Sequence, residues 1–384
     1  MNAPGRDRYD LVVIGLGGLG SAASYWASRR GLATLGIERF ELGHVRGASE
    51  DHSRIIRRTY PTTDYLRFAR AAFEAWGDVE WASGERLVLR TGGLDLFPPG
   101  GVDDLGGYSE AMQAEDVPFE VFDGDELMRR WPVWRVEPAT QVLFQPDAGV
   151  VAASLANATH RRLALKHGAE LVEHTTVQQV TPERDGYLVR TDAGEVRSDA
   201  LVVTADAWTN DILASFDVRL SLRLLQEQVT YLDAATPDAF EPGAFPVWIW
   251  HDLPHTYGLP AFGLPGPKVA LHGAGPSMGP DERTFEPDPH YQATVLGFVQ
   301  RHLPEALGPL LEVKTCQYTL TPDAHFVLDR IPGQERAVLG LGTGHAFKFA
   351  SVFGRSLVEL ALDGSTPFAF PRFAADRPEL AVRS

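Results

Sequence analysis

Four glycines, Gly15, Gly17, Gly18 and Gly20, punctuate the run GLGGLG in this 384-residue sequence. The run follows an apolar segment, residues 11–14, and leads into a segment with helical periodicity. In a strand–turn–helix unit, Gly15 would make the tight turn, Gly17 would let the backbone approach a pyrophosphate, and Gly20 would allow close helix packing. Helix N–H groups beginning near Gly18 would attract phosphates. The pattern therefore predicts a dinucleotide site.

A second strand-like segment, residues 33–37, ends at Glu38. A carboxylate at this position accepts hydrogen bonds from a ribose and disfavours a 2′-phosphate, so we do not expect NADP. The strand, helix, second strand and acid together favour a dinucleotide over a ligand-free glycine turn. The motif alone does not separate FAD from NAD.

Two arginines, Arg54 and Arg57, flank two isoleucines in the run SRIIR, which begins at Ser53. On a helical turn, side chains at i and i+3 share a face. Two guanidinium groups there could clamp a carboxylate in bidentate fashion beside a flavin. Taken alone, the run is better explained by two solvated arginines beside two core isoleucines than by a carboxylate clamp.

Two further runs, KTCQYTLTPD and GTGHAFKF, lie in the last quarter of the chain. The first holds the only cysteine, Cys316, and a lone cysteine in a β-like run is more often a small buried hydrophobe than a nucleophile. In the second run, Gly342 and Gly344 lead from a strand into a helix that contains Lys348. Their N–H groups suit a phosphate or a developing negative charge, and a tight packing turn is equally compatible.

Hydrophobic periodicity predicts the elements that must position these residues. Apolar and polar residues alternate over 220–232 and 245–271, which is typical of antiparallel strands. Residues 87–146 are rich in Gly, Pro and Asp, with short β-like runs. Helices are expected over residues 65–81, near 125–131, from 155 to an end at Gly168, over 289–303 and over 347–362.

The predicted fold class is α/β (α+β), a Rossmann-like FAD-binding domain with an interleaved antiparallel-sheet substrate domain. The nucleotide-binding pieces fall at residues 1–85, 148–216 and 320–384, and the substrate domain takes residues 86–147 and 217–319. Most nicotinamide dehydrogenases have a contiguous nucleotide domain, so this discontinuity favours FAD.

The charge and composition of the chain indicate which classes of binding partner to expect. The formal net charge is −16, which disfavours nucleic acid and anionic membranes because both attract clustered positive charge. No segment reaches the length of a membrane span, no signal-like leader precedes the first strand, and one cysteine allows no internal disulfide. We therefore expect a cytoplasmic protein without a metal site.

The glycine motif, SRIIR, KTCQYTLTPD and GTGHAFKF occur in this order over essentially the whole chain. In this the sequence resembles monomeric sarcosine oxidase and the N-methyl amino acid oxidases of the D-amino-acid-oxidase-like flavoproteins. The resemblance implies a monomer with FAD joined through its 8α-methyl group to Cys316. It implies cofactor contacts at Ser53, Gly342 and Gly344, with Arg54 beside the flavin ring.

The same resemblance implies the catalytic residues. Arg57 and Lys348 would clamp the substrate carboxylate and orient the amino acid. Tyr257 and His272 would lie near the substrate amine. Lys268 would activate oxygen above the flavin, since an ammonium in a dry site stabilises superoxide.

Two stretches depart from the family pattern. Residues 49–53, SEDHS, replace a His-Gly-Asp/Glu-Thr run before the first arginine. Trp248 falls where the sarcosine enzyme has a flexible apolar pocket residue, so we expect its indole to reshape the space around the substrate side chain.

The implied activity is oxidation of a sarcosine-like secondary amino acid, with O2 reduced to hydrogen peroxide. N-methyltryptophan or a cyclic imino acid such as pipecolate is the next substrate. A flavin dehydrogenase with a protein or quinone acceptor, or a flavin-binding protein without turnover, stays open as an alternative.

Overall fold

The computed structural model describes residues 4–382. Residues 1–3 and 383–384, the outer ends of the predicted nucleotide domain, lie outside the described part. In residues 4–382, two large sheets and one small sheet pack with eight α-helices. The helices are α1 Gly18–Arg29, α2 Thr63–Ser83, α3 Leu105–Ala114, α4 Gly124–Arg130, α5 Ala153–Lys166, α6 Thr209–Leu213, α7 Pro289–His302 and α8 Ala350–Asp363.

Most of the strands are short, and helices or loops separate many of them along the chain. In chain order they are β1 Arg8–Ile14, β2 Thr34–Ile37, β3 Ser53–Ile56, β4 Val88–Arg90, β5 Gly93–Phe97, β6 Glu120–Asp123, β7 Gln141–Gln145, β8 Gly149–Ala152, β9 Glu170–Val172, β10 Val177–Glu183, β11 Gly186–Thr191, β12 Gly194–Val203, β13 Arg223–Leu232, β14 Val247–Trp250, β15 Thr256–Leu259, β16 Lys268–Leu271, β17 Ser277–Met278, β18 Leu310–Leu320, β19 Val327–Arg330 and β20 Ala337–Leu341.

The first sheet has eight strands among the described residues and a parallel centre. Its order is β10-β11-β12-β1-β2-β9, with β20 beside the second half of β12 and β19 beside β20. Strands β1, β2, β9, β12 and β20 run parallel. Helices α1, α5 and α8 pack together on it. This is the Rossmann-like part of the predicted fold class, which the structure confirms.

The second sheet has nine strands in the part of the chain described and is mostly antiparallel. Its order is β17-β13-β16-β15-β14-β5-β7-β6, with β18 on the other side of β13. It draws on residues 93–145 and 223–320 and carries α7 against it. The interleaving of the two sheets along the chain agrees with the expected arrangement, while the domain limits themselves stay a prediction.

The run SRIIR is a strand, which corrects the prediction of a helical turn. Strand β3 pairs antiparallel with β8, so that Ile55 lies opposite Val150. Strand β4, on the other side of β8, completes a three-stranded sheet. Ile55 and Ile56 point into two different hydrophobic cores. Two consecutive buried β-branched residues suit a strand with both faces covered, and this burial outweighs the helical spacing of the arginines.

The long helices are confirmed, with ends within a few residues of the prediction; the final one begins with a 3₁₀ turn, Phe347–Phe349. Helix α3 was not predicted, because its sequence, LGGYSEAMQA, opens with two glycines that lower helix propensity. Trp248 was expected in the substrate pocket, and this expectation is wrong. Its indole is 1% exposed and packs on Trp134 and Phe298 in the core, while neighbouring Ile249 lines the cavity.

Candidate active site

A cavity of about 640 Å³ opens where the parallel strands of the first sheet end. Gly15 follows β1, Glu38 follows β2, Thr204 follows β12 and Gly342 follows β20, and all four residues line it. Ligands of open α/β sheets bind beyond the carboxyl ends of the strands. The parallel strands therefore bring both glycine-rich turns to one site.

The first glycine turn has no room for side chains. Gly15 has a φ of +90°, and a Cβ there would lie 2.6 Å from the carbonyl oxygen of Thr204. A Cβ on Gly20 would lie 1.8 Å from the carbonyl oxygen of Gly15, so Gly20 lies behind the turn and lets α1 pack on it. Gly17 caps α1 and lines the cavity together with Gly18. The backbone is thus bare where a pyrophosphate would approach.

Glu38 is a fixed acceptor at the end of β2. Its carboxylate accepts hydrogen bonds from the backbone N–H groups of Leu16 at 2.8 Å and Phe40 at 3.1 Å. Burial favours the neutral acid, but His44, 3.3 Å away, and these N–H groups outweigh burial and lower the pKa of Glu38. The ionised carboxylate suits ribose hydroxyls.

One buried carboxylate organises the charges beside Cys316. Asp51 is 6% exposed, and its oxygens contact Arg54 Nη1 at 2.8 Å, Lys314 Nζ at 3.0 Å and the ammonium of Lys268. The hydroxyl of Tyr231 donates to it at 2.8 Å. Although burial would raise the pKa of Asp51, the three cations hold it well below its ordinary value. We call Asp51, Arg54, Lys268 and Lys314 the Asp51 cluster.

Lys268 stands at the cavity end of this cluster. It is 1% exposed, lines the cavity, and donates to the carbonyl oxygen of Ser53 at 3.0 Å. Burial, aided by Arg54, lowers the pKa of Lys268 to about 8, while Asp51 opposes this shift. Ser53 is fully buried and supports Lys268 through its carbonyl, one layer behind the residues that line the cavity.

Cys316 lies on β18 opposite Glu227 of β13 and lines the cavity near Arg54. Burial raises the pKa of the Cys316 thiol to about 11, against the opposing effect of Arg54 and Lys268. The thiol is therefore protonated at neutral pH. The predicted tether thus lies on the same cavity as both glycine turns.

A second group of charges lies on the same cavity, around Tyr60. Arg57 forms an ion pair with Asp95 at 3.0 Å, and Asp95 also contacts His251 Nε2 at 2.7 Å. The guanidinium carbon of Arg57 lies 4.7 Å from the centre of the Tyr60 ring, and Lys348 Nζ lies 5.9 Å from it. We call Arg57, Asp95, His251 and Lys348 the Arg57 cluster.

Lys348 is the exception in this cluster. It is 8% exposed, and its ammonium donates to the carbonyl oxygen of His345 at 2.9 Å. No ion pair within residues 4–382 includes Lys348. Burial and the nearby Arg57 hold the pKa of Lys348 well below its ordinary value. A buried ammonium in this state gains most from an anion brought in by a ligand.

Tyr257 lies on β15 and His272 directly after the neighbouring strand β16, and both line the cavity. His272 follows Leu271, the last residue of β16, and its Nδ1 lies 3.4 Å from the hydroxyl of Tyr318. Burial and Lys348 lower the pKa of His272 to about 4, so this imidazole is neutral at pH 7. Burial also raises the pKa of Tyr257. Both side chains are therefore uncharged polar groups.

Comparison with known proteins bears on this arrangement. The family model described as FAD dependent oxidoreductase, DAO, matches residues 10–360. The chain belongs to this family. It is 31% identical to monomeric sarcosine oxidase from Bacillus sp. (strain NS-129), with 97% of each chain covered. It is 27% identical to N-methyl-L-tryptophan oxidase from Yersinia pestis (strain Pestoides F), covering 96% of this chain and 99% of the relative.

A solved structure agrees with the sequence relatives. NikD, described as an unusual amino acid oxidase essential for nikkomycin biosynthesis, superposes with a TM-score of 0.87 at 25% identity, covering 98% of this chain and 99% of NikD. The predicted resemblance is thereby confirmed, and the protein is a flavin-dependent oxidoreductase of the DAO family. The two glycine turns, Glu38 and the cavity of about 640 Å³ that they line fit the FAD that this family uses.

The sequence did not reveal several residues of the site. Tyr318 could have been found, because it lies two residues after Cys316 on the same face of a strand. Asp51 falls in the loop that departs from the family pattern, without a feature that foretells its three cations. Asp95, His251 and Tyr60 join the site only through long-range strand pairing and packing.

Proposed function

We propose that this DAO-family protein is an FAD-dependent oxidase of N-methyl and other secondary amino acids, with sarcosine-like substrates first. The observation that carries the proposal is Lys348, a buried lysine without a carboxylate partner among residues 4–382, near Arg57 on the wall of the cavity. A ligand carboxylate would satisfy Lys348 and complete the Arg57 cluster. The names of the sarcosine and N-methyltryptophan oxidases to which the chain is similar support the same substrate class.

The carboxylate clamp fixes the amino acid by one end. Arg57 supplies a planar guanidinium and Lys348 a point charge, and charge-assisted hydrogen bonds to both would set the position and tilt of the substrate. Tyr60, whose hydroxyl has no hydrogen-bond partner within the described residues, lies between them and can donate to the same carboxylate. Orientation rather than acid–base chemistry is the expected contribution of these residues.

The other end of the substrate faces uncharged groups. The neutral His272 and the Tyr257 and Tyr318 hydroxyls accept or donate hydrogen bonds without adding charge. Such surroundings favour the neutral amine over its protonated form, because burial without a counter-ion penalises the cation. The neutral secondary amine is the form that can be oxidised to an imine. The imine then hydrolyses to an aldehyde and the demethylated amino acid.

FAD, when bound, takes the two electrons and passes them to O2. The residues that would hold it are Gly15, Gly17, Gly18 and Glu38 at the dinucleotide end, Gly342 and Gly344 at the second turn, and Arg54 with Cys316 at the ring. We propose that Cys316 would hold the flavin through a thioether to its 8α-methyl group; the S–H bond and one C–H bond would break, and the two electrons would go to the flavin and from it to O2. Lys268, charged below about pH 8, would stabilise the negative charge that forms as O2 is reduced to H2O2.

N-methyltryptophan and pipecolate are the second candidates for the substrate, because Ile249 and Tyr108 also line the cavity and offer apolar surface to a larger side chain or ring. A dehydrogenase that uses another electron acceptor is the alternative class. We also propose that the protein acts as a cytoplasmic monomer, as the name of the bacterial relative suggests for its state of assembly. No described helix is long and apolar enough to cross a membrane.

Anaerobic stopped-flow mixing of the holoenzyme with sarcosine tests the proposal. We expect the yellow flavin absorbance to bleach with sarcosine and to return quickly when air is admitted, with peroxide formed in equal amount. Fast bleaching with slow return would favour the dehydrogenase. A flavin that no secondary amino acid bleaches would refute the proposed substrate class.

A further inference from the structure

Behind Arg57, a histidine lies between two carboxylates. His251 Nε2 lies 2.7 Å from Asp95 Oδ1, and His251 Nδ1 lies 3.1 Å from Asp103 Oδ2. A neutral imidazole carries one N–H and one lone pair, so it can donate to only one of these oxygens. Both contacts are favourable only when the ring carries both protons. The geometry therefore defines His251 as an imidazolium.

The surrounding residues hold this ring in place. The His251 ring stacks on Phe97 with centres 4.3 Å apart and an angle of 4°, and Tyr108 contacts it edge-on. The backbone N–H of His251 donates to the carbonyl oxygen of Leu96 at 2.8 Å. The side chain is 5% exposed. Burial alone would lower the pKa of His251, but the hydrogen bonds to Asp103 and Asp95 outweigh burial and raise it.

Asp95 Oδ1 is shared by two cations, which creates a competition. The same oxygen accepts from Arg57 Nη1 at 3.0 Å and from His251 Nε2 at 2.7 Å. Asp95 is 2% exposed and ionised, because Arg57 and His251 overcome the effect of burial and lower its pKa. If His251 lost its proton, the charge of Asp95 would be balanced by Arg57 alone. Arg57 would then have less attraction for any other anion.

We propose that His251 is a positioning residue of the carboxylate clamp: as an imidazolium it neutralises Asp95 and so leaves the charge of Arg57 to the substrate. This inference rests on the proposed function, since it assumes that Arg57 meets a substrate carboxylate. Asp103, 40% exposed on the loop before α3, sets the proton affinity of His251 from the other side. Other charged or titratable groups around the ring are Arg57, Tyr108 and His255.

The consequence is a pH limit on carboxylate binding that comes from the protein. Affinity should be constant while His251 is protonated and should fall as the pH rises through its raised pKa. Removing Asp103 lowers that pKa, so the fall should begin at a lower pH. An amino acid substrate would confuse this measurement because its own amine titrates, whereas acetate stays ionised throughout.

The experiment measures the dissociation constant of acetate from the holoenzyme, through the change in flavin absorbance, from about pH 6 to about pH 9. We compare wild type with His251→Asn, Asp103→Asn and Asp104→Asn. The last variant is the matched control, because Asp104 is an exposed neighbour with no side-chain hydrogen bond to the start of α3. It loses the same charge from the same loop without touching His251.

We expect His251→Asn to bind acetate roughly tenfold more weakly than wild type at low pH and to lose the part of the pH-dependent fall that belongs to His251, while any part caused by deprotonation of Lys348 remains. Asp103→Asn should shift the fall to lower pH, while Asp104→Asn should match wild type. Identical pH profiles for Asp103→Asn and Asp104→Asn would overturn the proposal, even if His251→Asn did not fold. A wild-type holoenzyme that binds no acetate at any pH would instead refute the carboxylate clamp, and with it the proposed function.

Discussion

The Asp51 cluster and the Arg57 cluster each contribute cationic side chains to the wall of the same cavity, and each gathers them around one buried carboxylate. In the first, Asp51 contacts all three of its cations directly. In the second, Asp95 contacts Arg57 and His251, while the only hydrogen bond of the Lys348 ammonium within residues 4–382 is to the carbonyl oxygen of His345. The first cluster is complete within the chain, and the second has one cation more than its contacts satisfy. This difference is the basis for the proposal that the substrate carboxylate binds at the Arg57 cluster.

The largest effect should come from the complete cluster. Lys268→Met is expected to slow reoxidation of the flavin by O2 about 10²–10³-fold, the usual loss when one preorganised charge is removed from a reaction centre. Flavin reduction by the amino acid should change far less. Stopped-flow measurement of the two half-reactions separates these effects.

Lys314→Met is the matched control for this variant. Lys314 contacts the same carboxylate at 3.0 Å, but it is 30% exposed and also pairs with Glu312. The Lys314→Met variant should therefore keep a rate of flavin reoxidation close to that of wild type. Equal slowing of both half-reactions in Lys268→Met would contradict the role assigned to Lys268.

The incomplete cluster should respond through affinity. Arg57→Ala or Lys348→Met each removes a charge-assisted hydrogen bond worth about 1.5–3 kcal/mol, so the amino acid should bind roughly 10–100-fold more weakly. The measurement is the substrate concentration that half-saturates flavin reduction under anaerobic conditions. An unchanged value in both variants would rule out the clamp.

Lys348→Met carries a second expectation that sharpens the comparison. It removes a buried ammonium that has no carboxylate partner among residues 4–382, so the ligand-free protein should become more stable to denaturant. Lys268→Met breaks a satisfied ion pair and should lower the free energy of unfolding. A decrease in the free energy of unfolding in both variants would contradict the prediction for Lys348.

A smaller effect is expected from Asp51→Asn. Asp51 supports the proton on Lys268, whose pKa is about 8. Without that carboxylate the pKa of Lys268 falls, so the pH above which reoxidation slows should move to lower values. Glu312→Gln, which removes the exposed carboxylate beside Lys314, is the control and should keep the wild-type profile. A profile unaltered in Asp51→Asn would show that Lys268 titrates independently of Asp51.

The smallest effect on turnover concerns the tether. Acid-precipitated wild-type protein should stay yellow if Cys316 binds the flavin covalently, and Cys316→Ser should release the colour into the supernatant. Because the pKa of the thiol is about 11, covalent incorporation of FAD into the apoprotein should speed up as the pH rises. A colourless wild-type pellet would exclude the tether without affecting the rest of the site.

Much of this molecule could be predicted from local patterns. The glycine turn, Glu38 and the long helices follow from short-range rules about strands, caps and glycine, and the structure has them where the sequence predicts them. The motif order also identified the family. The residues assigned by resemblance, Arg54, Arg57, Tyr257, Lys268, His272, Cys316 and Lys348, all line one cavity; their individual roles stay predictions.

The rest depended on tertiary contacts. The spacing of Arg54 and Arg57 fits a helix equally well, and only the burial of Ile55 and Ile56 in separate cores decides for a strand. The prediction that Trp248 lies in the pocket failed because its indole packs on Trp134 and Phe298, which come from distant segments of the chain. Likewise, the carboxylates that pair with Arg57 and Lys268 lie 38 and 217 residues away in the chain.

Strand β3 has one further consequence. Its residues are extended, at roughly 3.3 Å per residue, and paired with β8, with Arg54 inside the strand and Arg57 directly after its last residue, Ile56. In the proposed function, where Arg54 lies beside the flavin ring and Arg57 holds the substrate carboxylate, this backbone would set the distance between the ring and the end by which the substrate is held. Residues that contact the variable side chain of the substrate could then be substituted during evolution without changing the distance between the flavin and the reacting bond.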